Sequence, residues 1–556
     1  MGTYSDSHIC HCLSLLSTLR RNSVVTIAGN RRKTGKEFVD GVMGLAQGLV
    51  QLGLQSGDIV SIAAFNSELY LEWLLAIAYV GAIAAPLNYR WSYEEAVLAM
   101  EVVRPAMLVS DDSCVSWYSK LQHIGFPSLR WHVLLDSSSD FISTSNVNVL
   151  TTETIIKQSV RAASLDYCWA PENAVIICFT SGTSGRPKGV AISHSAFIVQ
   201  SLAKLAVVGY GEEDVYLHTA PLCHIGGLSS ALAMLMVGAC HVFIPKFDAK
   251  AALKAIAQHN VTSLITVPAM MADLVSKFRG NDTFKCIQNV KKILNGGGGL
   301  SVELTIAATK LFPKAKLLSA YGMTETCSSL TFMTLYDLNV DQRKSHTVDQ
   351  TRGICVGKPA PHVELKICTD GTSDVGRILT RGPHVMLRYW NGTVANAAAE
   401  SNNGVWLDTG DIGSIDVYGN VWLVGRANGR IKSGGENIYP EEVERTLLQH
   451  PGVASVVVVG IPDARLTETV VACVQIRENW QWVSTSTKDS VAEHMLHIST
   501  EILLQYCKEK NLTGFKIPKR FIVWTKPFPV TTTGKIRRNL IRGEAMSHLQ
   551  YLISHL

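Results

Sequence analysis

Apolar residues in the first part of the chain recur with two different periods. Residues 35–52, 68–80 and 93–102 carry them at the three- and four-residue spacing of a helix, whereas residues 58–64 and 82–86 are short apolar runs typical of buried strands. Helices and strands that alternate in this way predict an α/β fold, in which helices cover both faces of a parallel β-sheet.

Apolar runs at residues 174–178, 215–219 and 315–318 predict three further strands. Shortly after each run come residues that could contact a ligand, namely glycines together with hydroxyl groups, a histidine or a carboxylate. Pockets of α/β sheets open beyond the carboxyl ends of the strands. We therefore expect a ligand site that draws on the segments after these strands.

The first of these segments, residues 179–189, is a loop rich in glycine and hydroxyl groups. Glycines let the backbone approach a ligand, hydroxyl and amide groups donate to phosphate oxygens, and Lys188 adds a compact positive charge. A P-loop is excluded because Pro187 precedes this lysine and Gly189 follows it. An ordinary surface turn is the alternative to a polyphosphate site, which we favour. The candidate ligand residues are Thr180, Ser181, Gly182, Thr183, Ser184, Gly185 and Lys188.

The other segments carry groups that suit a nucleotide. His224 precedes two glycines, and the four-glycine run at 296–299 offers bare backbone for a flat ring. Tyr321 can stack on a base, and the carboxylate of Glu325 suits Mg²⁺ beside a phosphate. Asp411 can accept hydrogen bonds from a ribose diol. Taken singly, each has an ordinary alternative: a structural histidine, a glycine-rich connection, or an acidic residue in a turn.

After Asp411 the chain changes to short strands with glycine- and asparagine-rich turns, and a domain boundary is expected in the connector at residues 425–432. The remainder predicts a small α+β domain, with strands at 453–461 and 469–476 and helices at 440–449 and 492–508. Its threonine-rich final loop carries Lys535, a candidate mobile charge.

Composition excludes several classes of protein. The 556 residues suffice for at least two domains, and a net charge of +5 with 17% charged residues does not call for a nucleic-acid partner. The 13 cysteines lack any C-x-x-C pair, which argues against a disulfide framework and a zinc site. The most apolar windows, residues 74–86 and 228–244, are too short or too polar to span a bilayer, so they are expected in the core.

The two ends of the chain point to different compartments. Basic residues at 20–21 and 31–33 suit a plastid transit peptide, but the intervening residues 24–28 resemble a folded strand. The chain stops at Ser554-His555-Leu556, a variant of the peroxisomal Ser-Lys-Leu address. The expected location is therefore the peroxisome, with the chloroplast as a second location.

Together and in this order, the segments resemble the motifs of the adenylate-forming enzymes: acyl-CoA synthetases, adenylation domains of peptide synthetases, and luciferases. The resemblance covers nearly the whole chain, at residues 179–189, 221–228, 295–299, 321–326, 406–411, 425–444 and 529–537. It implies a large N-terminal domain of layered α/β sheets, residues 1–427, that binds ATP and the acyl group. A small mobile C-terminal domain, residues 428–556, would carry the catalytic lysine and turn about a hinge near Asn428.

The resemblance implies a two-step reaction with ATP, Mg²⁺ and CoA. A carboxylate attacks the α-phosphate of ATP to form an acyl-adenylate, and the thiol of CoA then displaces AMP. The family's roles put residues 180–188 around the β- and γ-phosphates and Asp411 at the ribose. Adenine would contact Gly296, Gly297, Gly298, Tyr321 and Gly322, while Thr324 and Glu325 would meet the α-phosphate and metal. Arg426 would reach ribose and phosphates, Lys535 the reacting carboxylate, and Lys432, Gly434 and Gly435 the thioester-forming site.

Within the superfamily, residues 217–230, 320–333 and 435–444 most resemble the 2-succinylbenzoate–CoA ligases of plants, which act in phylloquinone synthesis. The acyl pocket of the family is lined at positions that correspond here to His224, Ser229, Ser319, Met323 and Ser328. None is an arginine, so these positions do not identify the partner of the substrate's second carboxylate; an ordered water or a partly charged His224 could serve.

Two alternatives stay open. One is a CoA ligase for another small carboxylate, such as a hydroxycinnamate, a fatty acid or oxalate. The other is a non-catalytic nucleotide-binding relative, which is disfavoured because all the charged residues of the motifs are present. The expected partners are small molecules, without nucleic acid or a membrane span, and the sequence does not set the oligomeric state.

Overall fold

The structure, a computed structural model, describes residues 7–114, 117, 120–121, 126–136, 150–159, 166–181, 187–278, 285–338, 348–349, 353–369, 374–390, 406–433, 436–463, 466–483, 496–510, 512, 514–531 and 535–554. Within them, helices α1 to α13 span Cys12–Thr18, Gly35–Gln51, Glu68–Tyr79, Tyr93–Val103, Thr152–Gln158, His194–Val208, Ile225–Val237, Ala249–His259, Pro268–Phe278, Val302–Leu311, Pro440–Leu448, Thr500–Glu509 and Arg538–Ser554. Short 3-10 helices cover Ile9–His11, Pro171–Asn173, Lys285–Asn289, Thr324–Thr326 and Ala427–Gly429.

Strands β1 to β29 of the described residues span Val24–Ala28, Arg31–Thr34, Ile59–Ala63, Ile83–Pro86, Met107–Ser110, Trp131–Leu134, Leu150–Thr151, Ala174–Ser181, Pro187–Ser193, Val215–His218, Cys240–Phe243, Ser263–Thr266, Lys292–Asn295, Lys316–Met323, Ser328–Tyr336, Val348–Asp349, Gly353–Pro359, Glu364–Cys368, Gly376–Arg381, Arg388–Tyr389, Leu407–Ile415, Val421–Arg426, Ile431–Ser433, Glu436–Ile438, Val453–Asp463, Thr467–Ile476, Trp480–Trp482, Leu496–Ile498 and Arg520–Val523.

Two large sheets organise the N-terminal part of the molecule. The first runs in the order β18-β19-β21-β22-β17-β15-β14-β13-β12-β10-β11-β1-β2, and its segment from β14 to β1 is parallel. The second runs β20-β9-β8-β4-β3-β5-β6-β7 and is parallel from β8 to β7. The predicted parallel α/β architecture is therefore confirmed.

Helices fill the space between these sheets and cover their outer faces. Buried side chains of α1, α2, α3, α6 and α7 form one core with residues of both sheets, while α8, α9 and α10 cover the far face of the first sheet. Helix α2 shows why the local sequence folds this way. Thr34 and Glu37 form a reciprocal capping box at its start, and Phe38, Val42 and Leu45 on one face are fully buried.

The C-terminal part forms its own small sheet, in the order β24-β23-β26-β25 with β29 parallel to β26. Helices α11 and α12 pack on one face and α13 on the other. Arg538 at the start of α13 pairs with Glu441 and Glu444 of α11, which ties the two faces together. The large N-terminal domain and the smaller α+β domain are as predicted.

Several local predictions were wrong. The strand predicted at residues 315–318 was expected to end there, but Ser319–Met323 continue β14. The segment at residues 406–411 was interpreted as a turn that carries two carboxylates, but Leu407–Asp411 begin β21. Strand β14 pairs with β15, and β21 lies between β19 and β22, so partners from elsewhere in the chain override the local composition. The phosphate loop is likewise shorter than expected, because Thr180 and Ser181 end β8 and Pro187-Lys188-Gly189 begin β9.

The helix expected at residues 492–508 is also wrong in part. Leu496–Ile498 form a strand beside β27, and the helix begins at Thr500, where the hydroxyl of Ser499 accepts a hydrogen bond from the amide of Ile502. Residues 491–495 lie outside the described residues. No helix of the described part is long and apolar enough to cross a membrane. The cysteine side chains that the structure describes are free thiols.

Candidate functional site

The predicted motifs meet along one edge of the first sheet. Strands β10, β12, β13 and β14 are parallel neighbours, so their carboxyl ends lie side by side. The segment with His224 follows β10, the glycine run follows β13, and Thr324 follows β14. Residues separated by a hundred positions in the sequence are thereby brought to a common site.

Asp411 is the centre of the best-defined hydrogen-bond cluster at this edge. One carboxylate oxygen accepts from the hydroxyl of Tyr321 at 2.6 Å, and the other pairs with Nε of Arg426 at 2.7 Å. Asp411 and Arg426 are cross-strand partners on β21 and β22. Burial raises the pKa of Asp411, while the charges of Arg426 and Lys535 oppose that rise. The carboxylate of Asp411 can accept hydrogen bonds from ribose hydroxyls, and the guanidinium of Arg426 can pair with a phosphate.

The glycine run beyond β13 leaves an open backbone surface. A Cβ on Gly296 or Gly299 would meet no atom within 4 Å, and Gly297 has a φ of +72°, which favours glycine. Asn295, which is buried, donates to the carbonyl of Gly298 at 2.7 Å and so holds the turn in place. The run can therefore accept a flat ring against its main chain.

The hairpin of β14 and β15 positions Tyr321 and Thr324. A Cβ on Gly322 would overlap the carbonyl of Ser328, so glycine is required where the two strands approach. The half-buried ring of Tyr321 is held at its far end by Asp411, which leaves its face to stack on a base. Thr324 then begins a short 3-10 helix that also contains Glu325.

Glu325 is joined to the phosphate-loop lysine through Tyr389, a residue that the sequence reasoning missed. The Tyr389 hydroxyl donates to Oε1 of Glu325 at 2.9 Å, and Nζ of Lys188 lies 5.2 Å from the centre of the Tyr389 ring. Tyr389 belongs to β20, which pairs with β9, the strand that carries Lys188. No local signal marked Tyr389, because its role depends on this pairing.

Lys535 projects from the C-terminal domain toward the same site. Residues 531 and 535 close a turn, in which the amide of Thr531 donates to the carbonyl of Lys535 at 2.7 Å. The exposed ammonium is near enough to influence the pKa of both His224 and Asp411. The candidate catalytic cation therefore lies within electrostatic range of both His224 and Asp411.

His224 does not have the charge that the sequence analysis suggested. It precedes α7 as the N-cap residue, and burial, with the positive charges of Arg90 and Lys535, lowers its pKa to about 4. The imidazole is neutral at pH 7, so the expectation of a partly charged His224 is wrong. A neutral ring can position a substrate but cannot supply charge to a second carboxylate.

Two cations near His224 and the start of α7 were not predicted from the sequence. Arg90 lies close to His224 and stacks over the ring of Tyr89, with 5.4 Å from its guanidinium carbon to the ring centre. Lys204, on α6, is fully buried behind the first turns of α7. Lys204 appears in the sequence as one lysine in an apolar helix, and only its depth of burial distinguishes it.

Some predicted site residues cannot be placed. Gly182, Thr183, Ser184, Gly185, Gly434 and Gly435 lie outside the described residues, as do His555 and Leu556 of the expected peroxisomal signal. For Ser181, Lys432 and Asn428 only the backbone is described. Asn428 lies in the 3-10 helix Ala427–Gly429, between β22 and β23. The roles assigned to all these residues stay predictions.

The donor set at Glu325 suits a magnesium ion. Its carboxylate is buried, Oε1 accepts from Tyr389, and no group of three or more metal-ligating side chains occurs in the described part of the chain. Mg²⁺ is commonly held by one or two carboxylates together with substrate phosphates and water. A single hard oxygen donor beside a phosphate site therefore fits the predicted metal.

Comparison with known proteins agrees with the motifs. Residues 18–390 match the family model of AMP-binding enzymes, and residues 442–535 match that of the AMP-binding enzyme C-terminal domain. The chain is 56% identical over 565 residues to a 2-succinylbenzoate–CoA ligase of Arabidopsis thaliana, described as chloroplastic/peroxisomal. The match covers 100% of each chain.

Solved structures show the same similarity in three dimensions. The fold superposes with a TM-score of 0.75 on o-succinylbenzoate CoA synthetase from Bacillus subtilis in complex with its acyl-adenylate intermediate. The two are 27% identical, with 96% of this chain and 97% of that chain covered. The same enzyme in complex with ATP and a magnesium ion also gives a TM-score of 0.75 at 27% identity, covering 95% and 98% of the two chains.

Proposed function

Because the chain belongs to the AMP-binding enzyme family, we propose that it is an ATP-dependent ligase that joins 2-succinylbenzoate to CoA through an acyl-adenylate. The full-length identity of 56% to the plant ligase is the observation that carries this choice of substrate. The cluster of Asp411, Arg426, Tyr321 and Glu325 supports nucleotide chemistry independently of the comparison.

The reaction proceeds in two displacements. A carboxylate oxygen of the acid attacks the α-phosphorus of ATP, and the bond to the bridging oxygen breaks, which releases pyrophosphate. The sulfur of CoA then attacks the acyl carbon, and the carbon–oxygen bond to AMP breaks. The first step converts a poor leaving group into a good one, so the second step needs mainly positioning.

The nucleotide is held by groups from both sides of the site. Asp411 and Arg426 bind the ribose and its phosphate, and the ring of Tyr321 with the glycine run encloses adenine. Lys188 lies at the β- and γ-phosphates and keeps the leaving pyrophosphate in place. Glu325 would hold Mg²⁺, which offsets phosphate charge when bound.

Lys535 acts on the first displacement. Its positive charge acts on both His224 and Asp411, which suits a place between the acyl carboxylate and the α-phosphate. A cation there stabilises the negative charge that develops as the bond to phosphorus forms. His224, neutral at pH 7, lines the acyl pocket with Ser229, Ser319, Met323 and Ser328.

We further propose that the two half-reactions use two arrangements of the domains. The boundary lies between residues 427 and 428, within the interval that the two matched family models leave uncovered. Rotation about Asn428 would withdraw Lys535 and bring residues 432–435 to the site for attack by CoA. Asn accepts unusual φ values, which suits a hinge position.

The proposed location is the peroxisome, with the chloroplast as a second location. The C-terminal Ser554-His555-Leu556 supports the first, and the description of the plant relative as chloroplastic/peroxisomal supports both. A fluorescent fusion that leaves the C-terminus of the chain free, made with and without the last three residues, tests the peroxisomal signal. Peroxisomal fluorescence that is unchanged by the truncation would contradict the role of the signal.

Turnover of a substrate panel tests the function. Purified protein with ATP, Mg²⁺ and CoA is offered 2-succinylbenzoate, a hydroxycinnamate, a medium-chain fatty acid and oxalate, and AMP and acyl-CoA are measured. We expect 2-succinylbenzoate to have the highest kcat/KM. A higher value for any other acid would refute the proposed substrate and leave the adenylating reaction intact.

A further inference from the structure

Lys204 is a charged side chain in the core of the N-terminal domain. It lies on α6 with no exposed surface. Its ammonium donates to Oγ of Ser229 at 2.5 Å, to Oγ of Ser230 at 3.0 Å and to the carbonyl of Gly226 at 3.4 Å. These three acceptors are neutral, and the part of the chain that the structure describes brings no carboxylate to it.

Burying an ion without a counter-ion lowers the stability of the folded state. Moving an ammonium from water into a protein interior costs several kcal/mol, and neutral hydrogen-bond partners recover only part of that. Burial accordingly lowers the pKa of Lys204 to about 7, against 10.5 for an ordinary lysine. Methionine or leucine would fill the same space without the charge. The charge therefore needs a reason beyond packing.

The position of Lys204 supplies that reason. All three of its acceptors belong to the first turns of α7, directly after His224, the residue on the acyl side of the site. One helical turn earlier, Gln200 donates to the carbonyls of Thr326 and Ser329 at 3.0 and 2.6 Å. The same face of α6 thus supports both the acyl segment and the segment that carries Glu325.

Open space adjoins the start of α7. A Cβ on Gly226 would have only one neighbour, Cδ1 of Ile265 at 4.0 Å. Gly227, by contrast, is closed off, because a Cβ there would lie 2.5 Å from the carbonyl of Pro221. Ser229 and Ser230 follow Gly226 by three and four residues, so the open side of Gly226 and the two serines that bind Lys204 share one face of the helix.

We propose that Lys204 is the specificity-determining cation for the substrate carboxylate that is not activated, acting through the hydroxyl groups of Ser229 and Ser230. The inference rests on the proposed function, since only an acid with two carboxylates needs such a charge. Each serine hydroxyl accepts a hydrogen bond from the ammonium and keeps its own hydrogen to donate to a new acceptor. At present these hydrogens go to backbone carbonyls of Ile225 and Gly226.

A carboxylate in the open space beside Gly226 would be the stronger acceptor. Charge-assisted hydrogen bonds are about twice as strong as neutral ones, and linked donors polarise one another in a low dielectric. The carboxylate would also neutralise the buried ammonium. A mono-acid bound at the same place would leave the ammonium uncompensated, as it is in the free protein, so only the di-acid gains binding energy from the charge.

The test pairs a change in the protein with a change in the substrate. The probes are 2-succinylbenzoate and 4-oxo-4-phenylbutanoate, which keeps the chain carboxylate and lacks the ring carboxylate. For Lys204→Met in the full-length protein, kcat/KM in ATP–pyrophosphate exchange should fall by about tenfold or more for the di-acid, the usual range for a hydrogen bond to a charged group. The mono-acid should lose no more than about twofold, and its turnover shows that the variant is folded.

Controls separate this role from a structural one. Lys250→Met removes an exposed lysine of α8 and should leave both substrates unchanged. Lys204→Gln, which keeps a hydrogen-bond donor without the charge, should behave as Lys204→Met does. Arg90→Met tests the other cation near His224.

Equal losses for both probes in the Lys204 variants, or no loss for the di-acid, would overturn the inference. Selective loss of the di-acid in Arg90→Met alone would also overturn it, and would assign the second carboxylate to Arg90. If the unmodified protein does not use 2-succinylbenzoate at all, the proposed function fails instead, which the same assay reveals before any variant is made.

Discussion

Replacing Lys204 by methionine should stabilise the N-terminal domain, and the gain should depend on pH. The side chains are similar in length, and methionine adapts its shape to irregular gaps in a core. The substitution removes the cost of burying an ammonium, but it also removes three hydrogen bonds to Ser229, Ser230 and Gly226.

The lowered pKa sets the size of the charge cost. Between the ordinary value of 10.5 and a native pKa of about 7, the difference corresponds to about 4–5 kcal/mol. Neutral hydrogen bonds contribute about 0.5–1.5 kcal/mol each, so the loss of three of them offsets part of the stability gained by removing the charge. The net gain in the free energy of unfolding at pH 6 is thus about 0–3 kcal/mol.

The change of this stability difference with pH is a more specific test than its value at one pH. Below pH 7 the lysine is protonated in both native and unfolded chains, so the full cost is present. As the pH rises from 7 to 10.5, the unfolded chain binds more protons than the native one. The cost therefore falls by about 1.4 kcal/mol per pH unit. The advantage of the variant should shrink by about 2–3 kcal/mol between pH 6 and pH 9.

Urea unfolding of both proteins at pH 6 and pH 9, followed by tryptophan fluorescence, measures this difference. Cys327, whose charge would act on Lys204, has its pKa raised by burial and stays a thiol in the native protein throughout this range. In the native state its protonation therefore does not change the stability difference between the two proteins. An advantage that does not change between pH 6 and pH 9 would show that Lys204 keeps its charge in the core, contrary to this reasoning.

Three further predictions address the site and the small domain. Lys535→Ala should abolish ATP–pyrophosphate exchange yet spare thioester formation from supplied acyl-adenylate; equal loss of both would contradict the division of labour. Asp411→Asn should weaken ATP binding by about tenfold or more, because it removes the negative charge that pairs with Arg426 and accepts hydrogen bonds from the ribose hydroxyls. Calorimetry measures the affinity, and an unchanged value would exclude Asp411 from the ribose site. Arg538→Met removes the cation that Glu441 and Glu444 share, although the amide of Val458 still donates to Glu444, and should lower the free energy of unfolding of the C-terminal domain by about 1.5–3 kcal/mol. The matched control is Arg542→Met, which removes a half-exposed arginine paired with Glu468 and should lower the free energy of unfolding by less than about 1 kcal/mol. Urea titration measures both variants, and equal losses would show that burial of the Arg538 ion pairs does not matter.

Much of the fold could be predicted because it follows local rules. Helix α2 was placed correctly from its apolar spacing, and β3, β4 and α3 lie within a residue or two of their expected bounds. The errors fall where strands are stabilised from a distance. Residues 407–411 have the composition of a turn, yet they form a strand because β19 and β22 supply hydrogen bonds from both sides.

The chemistry of the site divides in the same way. Asp411, Tyr321, Arg426 and Glu325 were found in the sequence because the motif resemblance marks them individually. What they contact was not predictable: the link from Tyr389 to Glu325 joins residues 64 positions apart, and that from Tyr321 to Asp411 joins residues 90 positions apart.

The sequence by itself determined the family, the two-domain plan and the candidate reactive groups, because each depends on residue types at fixed spacing. Only the tertiary structure decided the charge states. His224 is neutral and Lys204 is titratable near pH 7 because of how deeply they are buried and which charges face them. Burial is a sum over all packed neighbours, most of them remote in the chain, and no local pattern of residues encodes it.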